Sequence, residues 1–153
     1  NYLKVKNFMK IKKIIGDISY DDRGFLVHNN NFDFNKIRRF YIIKNDSKNF
    51  VRAWHGHKKE SKYFLCIEGK FRICLVKIND FKNPSKKLKI LSFILDSNKS
   101  EILQVPPGYA NGTINLLEGS KLMVFSNMKL SQSIKDDYRY PHDYWNPWKI
   151  KNR

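Results

Sequence analysis

Two histidines one residue apart, His55 and His57, are the part of the sequence best suited to chemistry. They lie in the run Arg-Ala-Trp-His-Gly-His-Lys-Lys-Glu-Ser-Lys, which begins at Arg52 and ends at Lys62. Because residues two apart on a β-strand project from the same face, both imidazoles can reach one small ligand. The pair predicts a metal site or an acid–base site, since imidazole binds transition metals and titrates near neutral pH.

Short strands are predicted on both sides of this segment. Period-two alternation is visible in Phe71, Ile73 and Leu75, which are separated by Arg72 and Cys74. Segments rich in Phe, Tyr, Ile, Val and Leu are separated by turn residues and cover 38–43, 63–67, 70–78, 89–95, 101–105 and 121–126. Many short strands joined by turns indicate an all-β sandwich or barrel. An aromatic C-terminal segment, about 138–150, is predicted to lie across this barrel as a strap.

Length and composition predict a single domain over residues 1–153. The chain has a mass of 18.3 kDa and 41% hydrophobic residues, enough to form a core. No apolar run approaches the roughly 18 residues of a membrane span, and the N-terminal segment does not resemble a signal peptide. The two cysteines, Cys66 and Cys74, are too few for a disulfide framework. We therefore expect reduced thiols, a cytoplasmic location and no association with membranes.

The charge of the chain is strongly positive. There are 30 Lys and Arg residues against 14 Asp and Glu residues, which gives a formal net charge of +16. Only seven of the cations are arginine, the lysines are spread along the chain, and no DNA-binding motif accompanies them. The sequence therefore predicts no nucleic-acid partner, but a field that attracts a small anion such as a nucleotide diphosphate.

Two motifs resemble those of the cupins, which implies a jelly-roll barrel, also called a double-stranded β-helix. His55, His57 and Gly69 fit the first cupin motif, but Lys62 stands where the metal-binding Glu belongs. Residues 106–115 resemble the second motif, P-x-G-x-x-H-x-x-x-N, with Asn111 in place of the metal-binding His. Lys and amide side chains are poor metal ligands, so no metal and no other cofactor is predicted. Glu60 could replace the missing Glu only if the strand register slipped by two residues.

From about residue 21 to residue 148 the chain resembles the dTDP-4-dehydrorhamnose 3,5-epimerase family. The segment around Arg23 is similar to the family's D-x-R-G-x-F, and the segment from Arg52 to His55 is similar to its R-G-L-H. Residues 106–112 resemble its P-x-G-F-A-H-G. The resemblance implies that both arginines bind the nucleotide diphosphate and that His55 is the catalytic base. It also implies that Lys62 faces the 4-keto oxygen of the sugar.

Elementary chemistry agrees with these roles. A proton beside a ketone is removed more easily when the developing enolate is stabilised. Histidine, with an unperturbed pKa of about 6.5, can act as the base, and Lys62 supplies a fixed positive charge without a metal.

Other residues resemble a second branch, the 3,4-ketoisomerases of dTDP-4-keto-6-deoxyglucose. That branch carries H-x-H-K, as in residues 55–58, and its C-terminal part resembles residues 136–139. Ketoisomerases, however, have Gln at the position of Lys62 and a catalytic Tyr at the position aligned with Ile43. Epimerases have Gln at the position of His57 and take their acid from a Tyr in a strand aligned with residues 122–130, which contain no Tyr.

The general acid is therefore open, and the candidates are Tyr138, Tyr109 and His57. Tyr109 and Asn111 are also predicted to contact the substrate. The resemblance implies an epimerase of a nucleotide-linked, dTDP-type 4-keto-6-deoxy sugar that pairs as a homodimer and serves polysaccharide synthesis. The alternatives are a ketoisomerase of the same superfamily and a non-catalytic cupin that binds a sugar or a nucleotide.

Overall fold

Twelve β-strands and one helical turn make up most of the regular structure in residues 9–148, the part of the chain that the computed structural model describes. The strands are β1 (Lys12–Ile15), β2 (Asp17–Asp21), β3 (Gly24–His28), β4 (Arg39–Lys44), β5 (Val51–His57), β6 (Lys62–Glu68), β7 (Lys70–Lys77), β8 (Ile90–Asp96), β9 (Glu101–Val105), β10 (Tyr109–Asn115), β11 (Lys121–Ser126) and β12 (Tyr138–Arg139). Helix α1 (Leu130–Ser133) continues into a 3-10 turn (Ile134–Asp136), and another 3-10 turn covers Phe34–Lys36. Within this part of the chain, no helix has the length and apolarity needed to cross a bilayer.

Ten of these strands form two five-stranded antiparallel sheets. The first sheet has the order β1-β9-β6-β11-β4, and the second has the order β12-β5-β10-β7-β8. Strands that are distant in sequence are neighbours in both sheets, as in a jelly roll. The prediction of an all-β, cupin-type barrel is confirmed.

Strand β7 is buried on both of its faces, so it packs against other parts of the chain on each side of its sheet. Phe71, Ile73 and Leu75 are fully buried in the core between the sheets, as their alternation predicted. The intervening Cys74 and Val76 are also buried, in a second cluster on the outer face of the same sheet. Nearly continuous burial of this kind requires something to cover the outer face.

The C-terminal segment provides that cover. Residues 140–148 lie against the outer face of the second sheet, where Trp145 packs edge-on to Trp54 at 5.4 Å between ring centroids. The indole N–H of Trp54 donates to the carbonyls of His142 and Trp145, and Trp54 and Tyr140 exchange backbone hydrogen bonds. Residues 149–150 of the predicted strap and residues 1–8 of the predicted domain lie outside the described part.

All six predicted strands correspond to strands of the fold. Strands β6 and β7 do not pair around the turn at Gly69, because β6 belongs to the first sheet and β7 to the second. Gly69 has a φ of +73°, and a Cβ at this position would collide with Ser120. Cys66 and Cys74 are buried free thiols, and burial raises the pKa of Cys66 to about 11.

The hairpin formed by β2 and β3 stands apart from both sheets, since these two strands pair only with each other. It exposes four large hydrophobic side chains, those of Tyr20, Phe25, Leu26 and Val27. Arg23 lies in its turn, where it pairs with Asp21, and its side chain is 84% exposed.

Candidate active site

A cavity of about 480 Å³ lies between the two sheets, within the usual size range for small-ligand sites. Its walls come from β4 and β6 of the first sheet and from β5 and β10 of the second. Residues 130–139, which include α1 and β12, close one side. The polar residues that line it are Arg39, Tyr41, Lys44, Arg52, His55, His57, Lys62, Asn111, Thr113, Ser133, Asp137 and Arg139.

An irregularity in β5 brings two of these side chains, Arg52 and His55, to the same face of the strand. The register between β5 and β10 shifts at Asn111 and Gly112, so that Asn111 is opposite His55 and Gly112 is opposite Ala53. An extra residue in one strand changes which face the following residues occupy. Arg52 and His55, three residues apart, therefore both line the cavity, while Trp54 between them packs under the strap.

His55 is paired with a carboxylate. Its Nδ1 lies 3.7 Å from Oδ1 of Asp137, and its side chain is 37% exposed. Burial lowers the pKa of His55, and the nearby carboxylate of Asp137 opposes this effect only in part. A histidine with a lowered pKa is neutral at physiological pH and can accept a proton.

We expect the Asp137→Asn substitution to lower the pKa of His55 further, because it removes the charge that favours the imidazolium. The measurement is an NMR titration of histidine-labelled protein, following the ring signals of His55. The exposed Asp143→Asn variant is the matched control and should leave the titration unchanged. A His55 titration that moves to higher pH in the Asp137 variant would contradict the pairing.

His57 is held in one tautomer by its surroundings. Its Nδ1 lies 2.8 Å from the backbone carbonyl of Asp136, and because a carbonyl only accepts hydrogen bonds, Nδ1 carries a proton. The same nitrogen is 3.3 Å from Oε2 of Glu60. In neutral His57 the second ring nitrogen, Nε2, is therefore left as an acceptor.

Three ligand-type side chains, His57, Glu60 and Asp136, approach one another within 4.8 Å, but their bonding does not suit a metal. The Asp136 carboxylate already accepts the backbone N–H groups of residues 58–60, and Nδ1 of His57 is protonated. Glu60 also faces two cations, Lys62 and Arg39, whose charges would repel a metal ion.

Lys62 projects into the barrel with its ammonium group fixed from two sides. Its Nζ is 3.1 Å from Oε1 of Glu60 and donates to the hydroxyl of Tyr41, also at 3.1 Å. The same Nζ lies 5.0 Å from the centre of the Tyr41 ring. The side chain of Lys62 is 6% exposed, so this charge is largely shielded from water.

Tyr41 also lines the cavity, but the sequence analysis did not predict it. The alignment with the ketoisomerases placed their catalytic tyrosine at the position of Ile43, two residues further along the chain. The signal was available in strand β4, where Arg39, Tyr41 and Ile43 are half-buried and the alternate residues, Phe40 and Ile42, are exposed. Tyr41 is thus two residues before Ile43 and on the same face of the strand.

The cavity is strongly cationic, with five Lys or Arg side chains and one carboxylate in its lining. Lys62 and Arg39 are paired with Glu60, and Arg139 is paired with Asp137. Within residues 9–148, Lys44 and Arg52 have no carboxylate partner, and Nε of Arg52 donates to the side-chain oxygen of Asn45 at 2.7 Å. These two cations are available to an anion.

Two buried polar atoms in residues 9–148 have no hydrogen-bond partner, and both belong to the cavity lining. They are Nε of Arg39 and the hydroxyl of Thr113. Buried polar groups in proteins are nearly always paired, so these two atoms are exceptions within the described residues.

Of the eight residues predicted from sequence, the structure brings five to the cavity: Arg52, His55, His57, Lys62 and Asn111. Asn111 donates to the backbone carbonyl of His55 at 3.3 Å. Tyr138 is not brought there, because alternation along β12 turns Arg139 inward, and the Tyr138 ring contacts Phe81 and Lys58.

Tyr109 and Arg23 are also absent from the cavity lining. Tyr109 begins β10 and packs against the core between the sheets. Arg23 lies in the turn of the β2–β3 hairpin, outside the barrel of its own chain.

Comparison with known proteins places the chain in a protein family. The family model described as FdtA: WxcM-like, C-terminal, matches residues 3–147. No curated protein matches the chain by sequence.

Several solved structures share the fold. QdtA, a sugar 3,4-ketoisomerase from Thermoanaerobacterium thermosaccharolyticum in complex with TDP, is 24% identical, with 88% of this chain and 90% of that chain covered and a TM-score of 0.64. The dTDP-4-dehydrorhamnose 3,5-epimerase from Bacillus anthracis, with TDP and PPi bound, is 18% identical, with coverage of 95% and 89% and a TM-score of 0.73. The TDP-quinovose 3,4-ketoisomerase WlaRB from Campylobacter jejuni is 22% identical, with coverage of 92% and 98% and a TM-score of 0.63.

Proposed function

Because this chain belongs to the FdtA family of WxcM-like C-terminal domains, we propose that it is an isomerase, specifically an epimerase of a nucleotide-linked 4-keto-6-deoxy sugar. The observation that supports this most is the presence of His55, Lys62 and Tyr41 in one cavity. Arg52 and Lys44 line the same cavity and have no carboxylate partner within residues 9–148. QdtA and the Bacillus anthracis epimerase, two solved proteins of the same fold, hold TDP, which favours a dTDP-sugar.

In the proposed reaction, neutral His55 removes the proton from a carbon next to the keto group. The electrons of the C–H bond form an enolate, and the ammonium of Lys62 stabilises the negative charge on its oxygen. A proton then returns to the same carbon. No metal takes part in these steps.

The positions of the base and of a candidate acid favour epimerisation. His55 is carried by the second sheet and Tyr41 by the first, so the two side chains lie on opposite walls of the cavity. Inversion requires that the proton leave one face of the sugar ring and return to the other. The hydroxyl of Tyr41 accepts a hydrogen bond from Lys62, and among residues 9–148 it has no acceptor for its own hydrogen, which is therefore available to donate. Tyr41 replaces Tyr138, Tyr109 and His57 as our candidate for the acid.

A 3,4-ketoisomerase is the second candidate, and His57 is the observation that favours it. Its Nε2 is an acceptor in the neutral form and lies on the same strand face as His55. Moving a carbonyl along the ring requires proton transfer at two neighbouring carbons, which two adjacent bases can serve. The third candidate function is that of a non-catalytic cupin that binds a sugar or a nucleotide.

Exchange of substrate hydrogen with solvent deuterium distinguishes these three candidate functions. The protein is incubated in D₂O with dTDP-4-keto-6-deoxyglucose and with the UDP- and GDP-linked analogues, and deuterium incorporation and product structure are followed by NMR. An epimerase is expected to incorporate deuterium and change a stereocentre, whereas a ketoisomerase moves the carbonyl. Absence of exchange with every carrier would contradict the enzyme proposal and favour the binding protein.

Thr113 is expected to hydrogen-bond the substrate. The Thr113→Val variant keeps the shape of the side chain and removes a buried hydroxyl that has no partner in the described residues. We expect KM to rise by about tenfold, while the melting temperature stays the same or increases. Thr113→Ser, which retains the hydroxyl, should restore KM. An unchanged KM in the valine variant would contradict a substrate contact.

The proposed active form is a homodimer in which the β2–β3 hairpin reaches the partner's cavity. An isolated two-stranded hairpin is marginally stable in water, and exposed apolar patches mark interaction surfaces. Tyr20, Phe25 and Leu26 are each more than 60% exposed on this hairpin. Its tip carries Arg23, which the family resemblance associates with the nucleotide diphosphate.

Mixing two inactive variants tests this arrangement. Arg23→Ala and His55→Asn proteins are each expected to have little activity, but mixed dimers combine one intact His55 with the partner's intact Arg23. Partial recovery of activity after mixing and subunit exchange supports a shared site. No recovery, together with a monomeric mass by analytical ultracentrifugation, would contradict it.

We also propose a cytoplasmic location and a role in polysaccharide synthesis. Two free buried thiols suit a reducing compartment, which favours the cytoplasm. A nucleotide-linked deoxy sugar is an activated building block, and we place the enzyme in polysaccharide synthesis on that ground.

A further inference from the structure

Glu60 is a buried charged residue to which the proposed reaction assigns no role. It lies in the loop between β5 and β6, and its side chain is fully shielded from solvent. Oε1 is 3.1 Å from Nζ of Lys62 and 3.2 Å from Nη2 of Arg39, and it also accepts from the hydroxyl of Ser126. Oε2 accepts from the hydroxyl of Ser133 at 2.7 Å.

The groups around Glu60 keep its carboxylate ionised. Burial alone would raise the pKa of Glu60, but the ammonium of Lys62 and the hydroxyl donors outweigh it and lower the pKa. The ionised carboxylate of Glu60 is a fixed negative charge directly behind Lys62 and Arg39, which line the cavity. Its loop is held in turn by Asp136, which accepts the backbone N–H of Glu60 at 2.8 Å.

The donors of Lys62 show what this charge does. An ammonium group has three N–H bonds. One faces Glu60 and one donates to Tyr41, and within residues 9–148 the third has no acceptor. With two directions fixed by the protein, a flexible side chain is limited to one orientation, and the remaining N–H is left for a ligand.

From this geometry we infer that Glu60 is a positioning residue that holds the Lys62 ammonium at the substrate oxygen and so sets the rate of proton removal. The inference rests on the proposed role of Lys62. Positioned charges stabilise a transition state more than mobile ones, because they need no reorganisation as the reaction proceeds. The effect is therefore expected in kcat rather than in KM.

A double-mutant cycle with deuterium exchange as the readout tests the inference. Glu60→Gln is expected to lower kcat for exchange by about tenfold and to change KM by less than about twofold. In the Lys62→Met background, the same substitution should have no further effect. Glu101→Gln removes another paired carboxylate, the partner of Lys13 outside the cavity, and is the matched control.

Two outcomes overturn the inference: Glu60→Gln leaves kcat unchanged, or it lowers kcat by the same factor in both backgrounds. If the glutamine variant does not fold, Glu60→Asp takes its place, because it keeps the charge and shortens its reach toward Lys62. The same two criteria then apply.

An NMR measurement separates this inference from the proposed function. In ¹⁵N-lysine-labelled protein, the ammonium signal of Lys62 is expected to be observable because its protons exchange slowly with water. It should disappear in Glu60→Gln, whether or not the sugar is turned over. A wild type with no deuterium exchange but with this behaviour contradicts the proposed function alone, whereas an unchanged ammonium signal in the variant contradicts the positioning role.

Discussion

Replacing His55 by Asn is expected to lower the rate of deuterium exchange into the keto sugar by about 10²- to 10⁴-fold, the usual contribution of a positioned general base. Asparagine keeps a polar side chain next to Asp137 but cannot accept the proton. Because β5 and its pairing with β10 stay intact, binding of thymidine diphosphate should change little. The measurements are exchange by NMR and nucleotide affinity by calorimetry.

The exposed His142→Asn variant is the matched control and should exchange at the wild-type rate. His57→Asn tests the other histidine of the pair. If exchange survives in His55→Asn and is lost in His57→Asn, the base has been assigned to the wrong histidine.

Replacing Lys62 by Met should also remove most of the activity, by about 10²- to 10³-fold in kcat, because the enolate oxygen then loses its charged donor. Methionine has a similar length and no charge. Glu60 retains Arg39 as a counterion in this variant, so we expect the protein to fold. Lys62→Arg, which keeps a cation but changes its geometry, should be intermediate.

Lys70→Met is the control for this second prediction. Lys70 is an ion-paired lysine of β7, 3.6 Å from Asp96, and it does not line the cavity. Equal losses in the Lys62 and Lys70 variants would show a general effect of removing charge. Full activity in Lys62→Met would remove Lys62 from the mechanism.

The fold could be predicted where a strand is stabilised by its own residues. Strands β7, β8 and β11 consist mostly of apolar residues, and their predicted and observed ranges agree closely. Strand β10 was not predicted, because Asn111, Gly112 and other residues in it have low strand propensity. It forms because β5 and β7 pair with it on both sides, and such tertiary pairing is not visible in a local pattern.

The residues of the candidate site also divide into those visible in a local sequence pattern and those that depend on tertiary structure. His55, His57 and Lys62 were found because they fall within one short motif. Asp137 and Thr113 come from distant segments, and their relation to this motif depends on the register between strands and on the path of the chain after β11. Tyr41 was within reach of sequence reasoning, since strand parity alone puts it on the inner face of β4.

The packing of the strap makes the protein's own fluorescence a local probe. All three tryptophans of the sequence lie in one cluster, with Trp145 and Trp148 at 5.4 and 5.5 Å from Trp54 between ring centroids. Trp54 belongs to the same strand as His55, but its ring lies behind the sheet. Changes in emission therefore report contact between the strap and the back of this strand, and they would reveal whether nucleotide binding in front loosens or tightens it.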